Sequence, residues 1–452
     1  MLSLVGPVAR LAVGRGGRVF GGEPGDPTMT SRERLEATLN HKEPDRVCVD
    51  FGATAVTGIH AGTLSRLREA VLGEKGHRVK VAEPYQMLGE VDARLRDALG
   101  IDVVGLPGRK TLFGFENAGW KPFELFDGTP VLVPGQFNVT RQADGGLLIY
   151  PEGDTSAPPS GHMPKGGYYF DAIIRQPPIV EQKLDPADNL EEFRDLTDAE
   201  VQDWADRAAR LARETSCGVI TSLPGTAIGD IALVPGTFLK HPKGIRDVEE
   251  WYVSTAIRRD YLHKVFTRQT EIAVRNIERL SAAVGDRVQA AFVCGTDFGT
   301  QRGPFLSRQT YRELYSPYYR RMNHAIHKFT PWKTFKHSCG SVYQLIPDFI
   351  EDGFDILNPV QCSAAEMDPK RLKKEFGGRL VFWGGGVDTQ KTLPFGKPKE
   401  VYREVRSRID IFAPGGGFVF NAIHNIQANT PIANILAMFE AIRDSAKADS
   451  GA

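Results

Sequence analysis

An excess of charge of either sign is the first thing this chain lacks, since 56 Lys and Arg residues balance 56 Asp and Glu residues over 452 residues. That balance gives no support to a general nucleic-acid or membrane-surface role, both of which draw on a basic field. Cysteine is scarce too. The five present, Cys48, Cys217, Cys294, Cys339 and Cys362, are odd in number and scattered, which argues against a disulfide framework and for a reducing compartment. No apolar run approaches the roughly 20 residues of a membrane-spanning helix, so the cytoplasm is the expected location. Also missing is a Gly-x-Gly-x-x-Gly turn after an early strand, which weakens the case for a dinucleotide site. Before Glu23 there is no acidic residue, only Arg10, Arg15, Arg18 and several glycines. An Arg-rich, acid-poor start has the texture of a transit peptide. Pro7 and Arg10 interrupt the apolar stretch Leu2 to Val13 and make it a poor signal peptide. The simpler reading of residues 1–28 is a loose extension ahead of a domain that opens at Met29, with residues 447–452 as a tail.

What is present is material for a large core, with 41% of residues hydrophobic. Ser31 to Asn40 reads as a helix and Val47 to Phe51 as a strand after the Pro44-Asp45 turn. Between about Lys110 and Gln176 the texture changes to Gly, Pro and aromatics, with short alternating runs such as Thr129 to Val133 and Gly146 to Tyr150. These predict an inserted β-hairpin region or lid. Thr197 followed by Glu200 is a capping box, after which Val201, Trp204, Ala208 and Leu211 mark one helix face. Further strands are predicted at Gly218 to Leu223, Gln289 to Cys294, Lys333 to His337, Phe354 to Val360, Leu380 to Trp383 and Phe418 to Ile423. Amphipathic helices alternate with them at Ser307 to Phe329, Val342 to Glu351, Pro369 to Phe376, Pro398 to Phe412 and Pro431 to Ala446. Continuous apolar strands between helices predict a parallel sheet covered by helices, and this many repeats predict an α/β, (β/α)8 barrel over 29–446. An open doubly wound sheet is the other architecture with this pattern.

In such a barrel, functional groups gather where strands end. Asp297, His337, Cys339, Cys362, the turn Gly384-Gly385-Gly386-Val387-Asp388 and His424 all follow predicted strands and share one rim. Gly415-Gly416-Gly417 precedes a strand and falls on the opposite face, where a tight turn explains it. His337 and Cys339, at i and i+2 of an extended segment, point to the same side, so an imidazole and a thiolate converge there. With His424 on the same rim, the set has the composition of a zinc site with three protein ligands and one open position, the catalytic arrangement. Cys362 is an alternate thiolate one strand away. Asp297 fits a substrate acceptor or general base, or a carboxylate capping the loop Gly299 to Gly303. The glycines 384–386 let backbone amides approach a ligand, with Asp388 as a further polar contact, or they serve geometry alone.

Thr30 to Asp50, Asp297 to Pro317, His337-Ser338-Cys339-Gly340, Gly384 to Asp388 and Gly415 to Pro431 together resemble the uroporphyrinogen decarboxylase superfamily, over nearly everything from Met29 to Ala446. The resemblance implies a (β/α)8 barrel with its site at the C-terminal ends of the strands. The superfamily also holds zinc-dependent, corrinoid-linked methyltransferases. The true decarboxylase is metal-free and carries an Arg-Gln-Ala-Gly-Arg type segment facing a substrate with many carboxylates. The corresponding stretch here, Val47 to Thr54, contains no arginine, which removes the main electrostatic support for so anionic a substrate. The methyltransferase branch is marked by His-x-Cys and, far downstream, a cysteine preceding a Thr-Pro pair. His337 and Cys339 match the first part and Thr430-Pro431 the pair, but His424 stands where the second cysteine belongs. Imidazole in place of a thiolate raises the net charge of the site by one unit, which strengthens bound zinc as a Lewis acid.

The function this resemblance implies is methyl transfer between a small methylated substrate, a corrinoid on a separate partner protein and a thiol acceptor. The chain itself contains no Asp-x-His-x-x-Gly type cobalamin segment. Asp297 orients the substrate in this reading. A metal-free lyase of the decarboxylase type and a non-catalytic small-molecule-binding barrel are the other readings, and assembly into a homo-oligomer stays open.

Overall fold

The computed structural model describes residues 29–448, so the expectations for 1–28 and for the last four residues lie outside the described residues. Eight short parallel strands form the centre: β1 (Cys48–Val49), β2 (Val103–Leu106), β3 (Gly218–Ser222), β4 (Ala290–Cys294), β5 (Lys333–His337), β6 (Ile356–Asn358), β7 (Val381–Trp383) and β8 (Phe418–Phe420). Each pairs with the next from β2 to β8, and β8 returns to pair with β1 through Cys48 opposite Val419 and Val49 opposite Phe420. The expected (β/α)8 barrel is the fold. Its interior is filled by residues such as Cys48, Val103, Ile220, Ala290, Phe335, Ile356, Val381, Trp383 and Val419. The alternate residues, including Val219, Ala291, Val293, Leu357, Phe382 and Phe420, pack under the helices. Burial on both faces is why these strands read as continuous apolar runs rather than as alternating ones.

The β1–β2 seam closes by other means than a ladder. Asp102, one residue before β2 and fully buried, donates its backbone N–H to Val49 O at 2.8 Å. Its carboxylate accepts from Val49 N at 2.9 Å, Ser31 Oγ at 2.7 Å, Arg34 at 2.7 Å and both terminal nitrogens of Arg46 at 2.8 Å. A side chain thus replaces the missing strand contacts and ties them to the first helix, Ser31–Leu39. At Gly105 a Cβ would sit 2.1 Å from Ala53 O, so only glycine lets the chain after β1 cross this close to β2.

The capping box at Thr197 forms and starts the helix Asp198–Glu214, which buries Trp204 and Ala208. The predicted helix from Ser307 to Phe329 is two helices, Arg308–Leu314 and Ser316–Phe329. Pro317 sits in the first turn of the second, where its missing N–H is tolerated. The last helix runs from Ile432 to Ala448, two residues beyond the expected end. Residues 110–176 hold an antiparallel sheet, Val139–Arg141, Leu147–Ile149, Gly161–Met163 and Asp171–Ala172, and a hairpin, Lys121–Glu124 with Pro130–Val133, that joins Val79–Glu83. Gly416 and Gly417 pack against Lys42 and His41 on the face away from the strand ends, as expected of a tight turn. Strand β2 and the long helix Arg259–Val284 were not expected; β2 has only four residues, one of them glycine. Among the described residues no helix is long and apolar enough to cross a membrane.

Removing the Asp102 carboxylate leaves two arginines with a lost buried partner. Asp102→Ala is expected to destabilise the fold by about 3–5 kcal/mol in urea denaturation. A loss of well under about 1 kcal/mol, the range of an exposed ion pair, would mean that the seam closes without it.

Candidate metal centre

His337 is the last residue of β5, Cys339 lies two residues on, and His424 lies in the loop after β8. The three donor atoms lie within 4.8 Å of one another, and the two imidazole rings are 5.2 Å apart between centroids, at 72°. His337 Nε2 is 3.3 Å from Cys339 Sγ. In a tetrahedral zinc site, Zn–N near 2.0 Å and Zn–S near 2.3 Å place nitrogen and sulfur about 3.5 Å apart, so this pair already has the separation an ion requires. The residues present therefore fit the metal that their composition implies.

Backbone features place these donors. His424 adopts φ +70°, the left-handed region that a residue other than glycine enters at a cost of about 1–3 kcal/mol. His337 is fixed by Asn358 at the end of β6: Asn358 Nδ2 donates to Trp383 O at 2.7 Å, which turns its Oδ1 to His337 Nδ1 at 2.5 Å. Nδ1 is then the donor, and the Nε2 lone pair faces Cys339. The Cys339 backbone N–H donates to Asp297 Oδ1 at 2.6 Å, and the same oxygen is 3.7 Å from His337 Nε2.

Burial sets the protonation states. It lowers the pKa of each imidazole from 6.5 to about 4, with the neighbouring His337 adding to the effect on His424. Both rings are neutral at neutral pH and have lone pairs to offer. Burial, then the Asp297 carboxylate, pushes the Cys339 thiol well above its ordinary range, so in the metal-free chain it keeps a proton that a cation would displace. Asp297 is itself raised by burial. Behind the site, on the helix side of β5, Lys336 is fully buried. Its Nζ donates to Thr296 O at 2.7 Å and sits 4.6 Å from the centre of the Phe298 ring. This charge opposes the effect of burial on Asp297 and on the Cys339 thiol.

Of the predicted residues, His337, Cys339, His424 and Asp297 come together. Cys362 does not. It is no member of the donor set; its charged neighbours are Arg408, Glu404 and Asp368, and burial pushes its thiol up to about 12. The loop beyond Asp297 is closed by Thr300, whose hydroxyl accepts from Arg302 N and Gly303 N and donates to Gly303 O. The cap assigned as Asp297's alternative role is thus supplied by another residue. In the glycine turn, two of the three amides already have partners. Gly384 N and Gly386 N are already bonded to Val419 O and Asn421 O. A Cβ at Gly384 would lie 2.3 Å from Pro359 O, and one at Gly386 would lie 2.5 Å from the Phe420 ring. Close approach of three strand ends requires these glycines, while Gly385 carries the turn at φ +74°. Asp388 caps the same loop, accepting from Gln390 N at 2.7 Å and Lys391 N at 3.1 Å.

Sequence reasoning missed Asn358, Lys336 and Asp230. Asp230 is a buried carboxyl held by Gly295 N and Ala232 N and pushed up to about 6 by burial and by Asp297. Asn358 lies two residues before the end of the predicted strand Phe354 to Val360, so its place near the rim was a readable signal. Lys336 reads as polar surface in an extended run, and Asp230 lies in a loop with no pattern of its own.

The profile of the family described as uroporphyrinogen decarboxylase (URO-D) matches residues 173–445, more than half of the chain. The chain belongs to the uroporphyrinogen decarboxylase (URO-D) family. The match spans β3 to β8 and every residue of the candidate centre. Among solved structures, a methyltransferase from Methanosarcina mazei superposes with a TM-score of 0.50 at 17% identity, covering 92% of this chain and 99% of that one. At that identity the likeness speaks for the fold alone. The catalytic domain of a beta-amylase from Paenibacillus polymyxa reaches a TM-score of 0.32 at 12% identity, covering 88% of this chain and 99% of that one. No curated protein sequence matches the chain.

NMR titration of the metal-free protein is expected to find the His337 and His424 rings still neutral at about pH 5. A ring titrating near 6.5 would contradict the burial seen here. Unfolded imidazoles take up protons near 6.5 and these two only near 4. Between those values the unfolded state binds more protons, so their contribution falls as the solution is acidified and is fully lost below about pH 4. The wild-type chain should therefore lose more stability than His337→Asn on going from about pH 7 to about pH 5.

Proposed function

We propose that this URO-D family member is a zinc-dependent methyltransferase, with the convergence of His337, Cys339 and His424 within 4.8 Å as the observation that carries the reading. A zinc ion held by these residues supplies Lewis acidity, stabilising an acceptor thiol as its anion or polarising the heteroatom of a methoxy or methylamine substrate. The chain's own residues arrange the rest. Asn358 holds His337 with Nε2 toward the site, and Asp297 fixes the backbone at Cys339. Tyr252, whose ring stacks on half-exposed Phe305, donates its hydroxyl to Asp297 O at 2.9 Å and so helps hold the backbone at Asp297. The ligand set of two imidazoles and one thiolate leaves the zinc form with a net positive charge, suited to binding an anionic sulfur or an electron-rich heteroatom.

In this proposal the methyl group passes between a small substrate and a corrinoid that a separate protein presents at the rim. The decarboxylase reading lacks its cations, because the segment 47–54, which includes β1, carries no arginine. It carries instead Asp50, buried and pushed up to about 7 by burial, which accepts from Trp383 Nε1 at 2.9 Å. A neutral or ionised carboxyl there gives a carboxylated substrate no counter-charge.

Metal analysis tests the proposal. Wild-type protein is expected to contain one equivalent of zinc and His337→Ala essentially none. Methylated or demethylated product should form with a supplied corrinoid, stop on chelation and return with zinc. Absence of metal from both proteins, with activity untouched by a chelator, would return the chain to the metal-free lyase reading.

A further inference from the structure

The two imidazoles of the centre are held in opposite ways. His337 Nδ1 donates to Asn358 Oδ1, leaving Nε2 free. His424 Nδ1 instead accepts from the backbone N–H of Asn425 at 2.8 Å. A backbone N–H can only donate, so a neutral His424 ring carries its proton on Nε2. Asn425 is clamped in place. Its Oδ1 accepts from Gly58 N at 2.6 Å, and its Nδ2 donates to Ala55 O at 2.9 Å and to Gln86 Oε1 at 2.8 Å. Gln86 in turn donates to Ala55 O. These contacts join the loop after β8 to the loop after β1 and to the turn before Leu88–Gly89, and Asn425 is 1% exposed. The direction of its N–H is therefore set by the fold and not by the histidine.

Resting on the metal-binding reading above, we infer that His337 is the permanent imidazole ligand and His424 an exchangeable one, which coordinates only by giving up its hydrogen bond from Asn425. If His424 coordinates through Nε2, the ring proton must move to Nδ1, where it opposes the Asn425 N–H. If it coordinates through Nδ1, that same N–H loses its acceptor. The proton count of the ring is unchanged in both cases, and the contact is lost in both. Of the three donors, His424 would therefore be the one released most readily, because release would restore its Asn425 contact. The imidazole at the position where the family's second thiolate is expected would thus be the labile ligand of the centre.

Long-range proton–nitrogen NMR of the metal-free protein reads the ring protons directly. The expected pattern is a proton on Nδ1 of His337 and on Nε2 of His424. Zinc should shift the Asn425 amide proton, and excess 2-mercaptoethanol should restore its metal-free position. Cobalt(II) absorption provides a second readout: His424→Gly, which suits φ +70°, should still take one equivalent with affinity about 10- to 100-fold weaker, while His337→Ala should take none. A proton on Nδ1 of His424 in a chain that binds metal overturns this inference alone, as does equal loss of cobalt in both variants. A wild-type chain that binds neither ion overturns the metal reading itself.

Discussion

Closure of the barrel at Asp102 is the constraint from which the rest follows. His337 ends β5 and His424 follows β8, so their meeting depends on β8 being pulled round to β1 and β1 to β2. The first contact is an ordinary parallel pair. The second is the work of one buried carboxylate with its backbone N–H, bracketed by Arg34 and Arg46. Above that seam, Trp383 and Asp50 join β7 to the end of β1 across the barrel interior. The carbonyl of the same tryptophan orients Asn358, and through it His337. Scaffold and chemistry thus share a short chain of hydrogen bonds, with buried polar groups satisfied on both sides.

The electrostatics of the centre come from burial more than from charge partners. Two neutral imidazoles and a protonated thiol leave the three donors of the metal-free site themselves uncharged at neutral pH, and burial raises the neighbouring carboxyls of Asp297 and Asp230. Close by, outside the barrel wall, Lys336 donates to Thr296 O. Such a site does not attract a polyanion, but it supplies lone pairs and a displaceable thiol proton to a divalent ion. The replacement of an expected cysteine by His424 fits this pattern, because imidazole binds a cation without adding an anion to a buried place.

The glycine turn 384–386 shows how two explanations for one motif separate once neighbours are known. As a string it has the composition of a ligand-binding loop. In the fold its Gly384 and Gly386 amides are committed to Val419 in β8 and to Asn421 just beyond it, and its missing side chains make room for Pro359 and Phe420. The same holds for Cys362, which follows a strand like the three clustered donors but is no member of their cluster.

By itself the amino-acid order determined the repeating apolar strands, the capping box at Thr197, the rim on which functional residues gather and the pairing of His337 with Cys339. All of these are set by periodicity or by residues a few positions apart. Tertiary structure alone decided that His424, which the order places on the same rim, comes within ligand distance of them and that Cys362 and Asp388 do not. It also decided that four residues around Gly105 are a barrel strand, and that Asn358 and Asn425 dictate where the two rings carry their protons. Those outcomes depend on contacts between residues up to hundreds of positions apart, as between Gly58 and Asn425. Local patterning carries no record of such contacts, because which polar group meets which is fixed only when the barrel closes.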